Sequence, residues 1–242
     1  MTKKVKNKSK WPKKIVIIRH GESELNVALD SLQEDLDKEV MEKLSNIRDA
    51  DILLTKKGKW QSKQTGLFLK KNKEKFDVCF CSPYKRTIQT ANEIISTFVP
   101  NLQILPDIRL REKEFGRLHC ITKKTIKEKF PEEHRALKLE GQFYYRLLGG
   151  ENYPDVAMRA HNFIDKLFRD YGGKNVLIIT HQVPYKMFRF WFEHLNEEQT
   201  LGLESVPNCG IQIYEIDFSK KIEGRMKLKA FNKIGYDLKK FK

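Results

Sequence analysis

Residues 13–26 read KKIVIIRHGESELN. Four β-branched side chains in a row, Ile15, Val16, Ile17 and Ile18, describe a strand that is apolar on both faces. Strands of that kind lie inside parallel sheets covered by helices on either side. The run stops abruptly at Arg19-His20-Gly21-Glu22. A cation, an imidazole and a glycine at the end of a buried strand need a reason.

Two further stretches end the same way. Val176-Leu177-Ile178-Ile179 runs into Thr180-His181-Gln182, and Val78-Cys79-Phe80-Cys81 runs into Ser82-Pro83-Tyr84-Lys85-Arg86. In an open α/β sheet, ligands collect beyond the carboxyl ends of parallel strands. If the three strands are neighbours, Arg19, His20, Arg86 and His181 converge. Two forked guanidiniums and two imidazoles then form a receptor for a tetrahedral dianion. Ser82 suits an N-cap and Pro83 the first helical position, which puts Arg86 in a first helical turn with a favourable dipole. One Arg or His at a strand end is ordinarily a surface ion pair or a packing residue. Three matching ends in one chain carry the weight.

Strand-like runs occupy about 14–19, 77–81, 102–105, 175–180 and 211–217, with an edge strand near 226–231. Helical stretches fall at roughly 56–71, 84–98, 153–171 and 183–195; Val156, Ala157, Ala160, Phe163, Ile164, Leu167 and Phe168 recur at helical spacing. This alternation predicts an α/β fold, a three-layer α/β/α sandwich with a mostly parallel central sheet. Two charged segments, 27–50 and 119–148, read as helical insertions over the site. The expected divisions are a basic N-terminal tail at 1–13, one domain at 14–218, and a basic C-terminal segment at 219–242 that includes the edge strand.

The net charge of +15 is carried by the ends. Residues 1–14 hold seven lysines and no acid, and residues 219–242 hold nine Lys/Arg against two acids. That leaves 31 basic and 30 acidic residues between them. Such ends could contact nucleic acid or an anionic membrane. Solvated ends of a lysine-rich chain are the simpler reading, because no aromatic interleaving accompanies the charge. The N-terminus lacks the apolar core of a secretory signal, and no stretch reaches ~20 apolar residues. Four cysteines make no disulfide framework and Cys79-x-Cys81 is not a zinc spacing, so reduced thiols in the cytoplasm are expected.

No G-x-x-x-x-G-K-[ST], no G-x-G-x-x-G after a strand and no H-E-x-x-H occurs, so side chains must bind the anion. Taken together, the motifs resemble the histidine phosphatase superfamily, in its phosphoglycerate-mutase-like branch. The resemblance rests on Arg19-His20-Gly21-Glu22, Asn26, Leu54-Thr55-x-x-Gly58-x-x-Gln61 and Ser82-Pro83-x-x-Arg86-x-x-Gln89-Thr90-Ala91. It continues through Leu110-Arg111-Glu112-x-x-x-Gly116, Gly150-Glu151-Asn152 and Thr180-His181, in the family's order, across residues 14–217.

The resemblance implies that His20 is the nucleophile forming a phosphohistidine. Imidazole suits that role, being neutral and nucleophilic near its ordinary pKa of ~6.5. Arg19, Arg86 and His181 would hold the phosphoryl oxygens. Asn26 and Ser23 would line the substrate pocket, and Gly21 would permit the turn that aims His20. Glu112 matches the general acid, with Glu114 as its rival; the spacing to Gly116 favours Glu112. Glu22 and Glu151 would orient loops. His119, His134, His161 and His194 match no catalytic position and read as surface or packing residues. Trp60 and Trp191 read as core.

Two departures stand out. Gln182 replaces a common glycine after the second histidine. Glu112-Lys113-Glu114-Phe115-Gly116 lacks the E-R-H-Y-G pattern of cofactor-dependent mutases and is nearer to R-E-x-x-[FWY]-G of a phosphatase branch. The implied activity is hydrolysis of a small phosphorylated substrate without metal or cofactor. The alternatives are a cofactor-dependent phosphoglycerate mutase and a non-catalytic phospholigand-binding module.

Overall fold

The computed structural model describes residues 10–33, 44, 46–119, 121, 123–219 and 224–241. Six strands form one sheet: β1 (Lys14–Arg19), β2 (Val78–Cys81), β3 (Ile104–Pro106), β4 (Asn175–Thr180), β5 (Ile211–Asp217) and β6 (Arg225–Lys233). Their spatial order is β3-β2-β4-β1-β5-β6. The first four in that order are mutually parallel, while β5 runs antiparallel to both β1 and β6. The architecture is the expected α/β sandwich, and β6 is the edge strand.

Why β1 is apolar on both faces is now plain. Ile15 and Ile17 join Val176, Ile178 and Phe80 in one core layer, against Phe163 and Leu167 of α6 (Tyr153–Asp170) and Phe188 of α7 (Gln182–Glu193). Val16 and Ile18 face the other way, joining Leu177, Ile179, Cys79 and Cys81. There they meet Leu69 of α2 (Lys56–Lys71) and Ala91 and Ile94 of α3 (Lys85–Ser96). All four β1 residues are fully buried, each contributing roughly 1.5–3 kcal/mol of transfer free energy. Two covered faces demand an unbroken hydrophobic run.

Register sets the site. Arg19 pairs with Thr180 and Ile179 with Cys81, so β1, β4 and β2 finish side by side with β4 between the other two. The three polar strand ends therefore share one edge.

The helical stretches lie where periodicity puts them, with one difference of consequence. Helix α3 begins at Lys85 with Tyr84 as its cap, two residues later than a Ser82 cap requires. Ser82 Oγ instead accepts from Tyr84 N at 3.3 Å, and the Ser82 carbonyl accepts from Thr87 Oγ1 at 2.8 Å. Arg86 still stands in the first turn. Helix α1 (Glu24–Gln33) runs into the first insertion, of which 34–43 and 45 lie outside the described residues. The second insertion holds α4 (Lys123–Lys129) and α5 (Pro131–Tyr144). A short α8 (Glu197–Leu201) precedes the loop to β5.

Beyond β6 the chain folds back onto α2. Trp60 packs on Tyr236 and Phe241, with ring centroids 5.9 and 5.3 Å away, and Tyr236 Oη donates to Asn208 O at 2.8 Å. Residues 1–9, which hold most of the N-terminal charge, lie outside the described part. Within it, no helix is long and apolar enough to cross a membrane.

Candidate active site

His20 leaves the end of β1 with only 3% of its surface exposed. Its backbone is pinned on both sides: His20 N donates to Thr180 O at 2.9 Å, and Cys209 N donates to His20 O at 3.2 Å. The ring has a defined tautomer. Nδ1 lies 2.7 Å from Gly21 O, and a carbonyl can only accept, so Nδ1 carries the proton and Nε2 the lone pair. Burial pushes the imidazole well below its ordinary pKa, with Arg86 and Arg19 adding to the effect. It is a neutral ring with a lone pair on Nε2.

Gly21 is explained by proximity rather than by turn conformation. A Cβ there would come within 2.4 Å of Gly58 O, and one on Gly58 within 2.0 Å of Glu22 O. The two glycines let the N-terminus of α2 press against the His20 loop. Thr55 and Lys57 donate to the two Glu22 carboxylate oxygens at 2.8 and 2.6 Å, and Gln61 Oε1 accepts from Glu22 N at 2.9 Å. These contacts fix the loop.

The 206–210 loop supports the other side. Val206 O accepts from an Arg19 terminal nitrogen, and Asn208 Nδ2 donates to His20 O and to Asn26 Oδ1. Ser23 and Asn26 bond reciprocally at the start of α1, Ser23 N to Asn26 Oδ1 at 3.1 Å and Asn26 N to Ser23 Oγ at 3.3 Å. Both oxygens are thereby committed to capping, which leaves Asn26 its Nδ2 as a donor.

His181 follows β4 and is fully buried, its ring centroid 5.1 Å from that of His20. Nε2 lies 2.8 Å from Ser82 Oγ. Burial, then Arg86, depresses the His181 pKa well below the ordinary value. Nδ1 of His181 and Nε of Arg19 are buried without a hydrogen-bond partner. Two buried, unpartnered nitrogens beside the His20 ring are atoms that a polar ligand would satisfy.

Arg86 is 3% exposed and gripped end-on by Asp49: Nη1 to Oδ1 at 2.8 Å and Nη2 to Oδ2 at 3.1 Å, with Asp49 O accepting as well. Its guanidinium lies 4.9 Å from the Tyr84 ring, which packs edge-on to His181 at 5.0 Å.

Glu112 is held at the N-terminus of α7. Oε2 accepts from Gln182 N at 3.0 Å, while Oε1 accepts from Val183 N at 3.2 Å and Lys113 N at 2.8 Å. Burial raises its carboxyl above the usual range, against the opposing pull of those amides and of Arg86 and Arg19. Arg159 fixes the backbone below it, donating to the carbonyls of Arg109, Arg111 and Glu112 and to both Glu151 oxygens. Glu151 also accepts from Arg111 and from Glu114 N. Glu114 lines a cavity of about 740 Å³ that opens to solvent and that Tyr84 also lines. Among the described residues no cluster of three or more His, Cys, Asp or Glu is placed to hold a metal ion.

The edge thus brings together Arg19, His20, Arg86, Glu112 and His181, with Asn26 and Ser23 in the supporting loop. Asp49, Asn208 and Arg159 were not legible as part of it. Arg159 carried a signal, a charge on the buried face of an amphipathic helix. Asp49 sits in an insertion and carried none. His119, expected as a surface or packing residue, lines the cavity. The three described cysteines are buried and free, and burial raises Cys81 to about 12 and Cys209 to about 11; Cys120 lies outside the described residues.

A family model described as histidine phosphatase superfamily (branch 1) matches residues 15–228. The chain belongs to that superfamily. It is 28% identical to phosphoglycerate mutase-like protein AT74 of Arabidopsis thaliana, the match covering 85% of this chain and 65% of that one. It is 27% identical to a 2,3-bisphosphoglycerate-dependent phosphoglycerate mutase of Treponema denticola over 86% of the chain and 89% of the relative. Phosphoserine phosphatase 1 of Hydrogenobacter thermophilus is 28% identical over 72% of each. The fold superposes on an alpha-ribazole phosphatase from Shigella flexneri with a TM-score of 0.72 at 20% identity, covering 93% of this chain and 99% of that one.

Proposed function

We propose that the chain is a phosphomonoesterase that works through a phosphohistidine on His20. The observation that carries this reading is the neutral His20, its Nε2 lone pair free, beside two buried and unpartnered nitrogens, His181 Nδ1 and Arg19 Nε. A phosphoryl group seated there meets the positive charge of Arg19 and Arg86, with the neutral His181 ring beside it, so neutralisation requires no metal.

His20 Nε2 attacks phosphorus in line as the ester P–O bond breaks. The departing oxygen takes the proton held by Glu112, whose raised pKa suits a general acid. Glu112, now a carboxylate, removes a proton from water. That water attacks phosphorus, the P–N bond breaks, and phosphate leaves with His20 restored.

Hydrolysis is favoured over mutase chemistry by the E-K-E-F-G segment and by the solvent-open cavity that Tyr84 and Glu114 line. A mutase must keep water from its phosphoenzyme. The test is phosphate release from p-nitrophenyl phosphate and glycerol 3-phosphate in EDTA, run beside isomerisation of 3-phosphoglycerate with and without a bisphosphate primer. Release that persists in EDTA supports the reading; primer-dependent isomerisation without release supports a mutase and overturns it.

A further inference from the structure

The His20 loop is held from two sides, and both holds lead to one phenol. On one side Asn208 Nδ2 donates to His20 O at 3.3 Å and to Asn26 Oδ1 at 3.0 Å. On the other, Gln61 Oε1 accepts from Glu22 N at 2.9 Å. Tyr236 Oη joins these supports, donating to Asn208 O at 2.8 Å and accepting from Gln61 Nε2 at 3.4 Å. A hydroxyl has one proton and two lone pairs, so it does both at once. Burial, with Cys209 and Glu22 adding and Arg19 opposing, raises this phenol to about 12. It therefore stays a donor at neutral and acidic pH.

Tyr236 belongs to the C-terminal segment, beyond the stretch that matches the superfamily. Its ring is seated by contacts that do not involve the hydroxyl. It packs edge-on to Trp60 at 5.9 Å and against the core layer that holds Val16 and Ile18. Phe241 also packs on Trp60, at 5.3 Å, and Lys233 Nζ lies 5.1 Å from the Phe68 ring. The segment is thus anchored to α2 on either side of Tyr236.

We infer that Tyr236 is a positioning residue for His20: its hydroxyl locks the Asn208 and Gln61 supports together and so holds the imidazole on its line of attack. The kinetic consequence rests on the phosphatase reading. A misplaced nucleophile loses rate, whereas the arginines that would bind the phosphoryl group are untouched.

Tyr236→Phe keeps the ring and removes the hydroxyl. With the purified full chain and p-nitrophenyl phosphate, kcat should fall roughly fivefold or more, with KM within about twofold and the thermal midpoint within ~4 °C of the parent. Tyr236→Phe combined with Asn208→Ala should cost less than the product of the two single effects, because both act through one support. Nitrogen NMR of the His20 ring gives a readout that needs no turnover. The parent should show Nδ1 protonated and Nε2 bare, and Tyr236→Phe should shift the ring toward a mixture of tautomers. An unchanged kcat, or a loss carried by KM alone, overturns the inference and leaves the phosphatase reading intact. A lower kcat with unchanged ring signals marks a purely structural role and overturns it too. If the parent releases no phosphate, the phosphatase reading falls, and the ring signals alone decide the positioning role.

Discussion

The carboxyl edge of the sheet and the wall built by the insertions meet at Arg86, and they are made differently. At the edge, His20 and His181 are fixed by backbone hydrogen bonds of adjacent parallel strands and by a core buried on both faces. The wall consists of short segments outside the sheet, 46–51 and 114–119, tied to the rest by contacts such as Asp49 with Arg86 and Arg117 N with Leu148 O. Chemistry needs sub-ångström placement and therefore sits on the strands; substrate choice tolerates change and sits on the loops. Substitutions at the edge should therefore act on kcat, and substitutions in the wall on KM and on substrate ratios.

The largest break is expected at His20. His20→Ala should lower phosphate release by ~10⁴-fold or more, because no neighbouring group replaces the nucleophile. Its thermal midpoint should stay close to that of the parent, which separates lost chemistry from lost fold. Wild-type turnover in this variant would sink the phosphohistidine mechanism.

Glu112→Gln comes next, at roughly 10²–10⁴-fold in kcat. Its pH profile is more informative than its size. In the proposed mechanism turnover needs His20 neutral and Glu112 protonated. Burial lowers the His20 pKa, so the acid limb moves below the ordinary histidine range; burial raises that of Glu112, so the basic limb moves above the ordinary glutamate range. The optimum should be acidic, and Glu112→Gln should abolish the basic limb while keeping the acid one. A basic limb that survives in this variant would return Glu114 to consideration.

Asp49→Ala tests the join between the two regions. Losing a bidentate partner frees the Arg86 fork to rotate, so KM for p-nitrophenyl phosphate should rise by roughly tenfold with a smaller change in kcat. A fall in KM would show that Asp49 competes with the phosphoryl group instead of aligning its receptor.

The same division explains what could be read without coordinates. The edge was legible because a strand buried on both faces must be apolar throughout, so Arg19-His20 and Thr180-His181 broke a pattern that physics enforces. The parallel sheet and the edge strand β6 followed from spacing alone. Ser82 was misplaced as a helix cap because its hydroxyl satisfies two rules at once, and only the position of His181 decides between them. Gly21 looked like a turn residue, since one chain segment cannot reveal that Gly58 lies against it. Asp49 had no pattern to break. Its meaning comes wholly from a partner 37 residues away.

The smallest effect sharpens the comparison through stability. His20 and His181 are buried neutral, with pKa values well below those of an unfolded chain. The unfolded state therefore binds protons first as pH falls through ~6.5, and the native state loses stability from there down to the depressed native pKa values. Above that window the two rings contribute no slope. His181→Gln should flatten the fall in thermal midpoint between pH 7 and 5, because one of the two groups no longer titrates on unfolding. Inorganic phosphate should raise the midpoint of the parent and do so less in His181→Gln, since the unpartnered ring nitrogen beside His20 is gone. Glu114→Gln, in the wall, should leave the response to phosphate intact. Equal loss of that response in both variants would mean that edge and wall form one binding unit, and the division drawn between them would not hold.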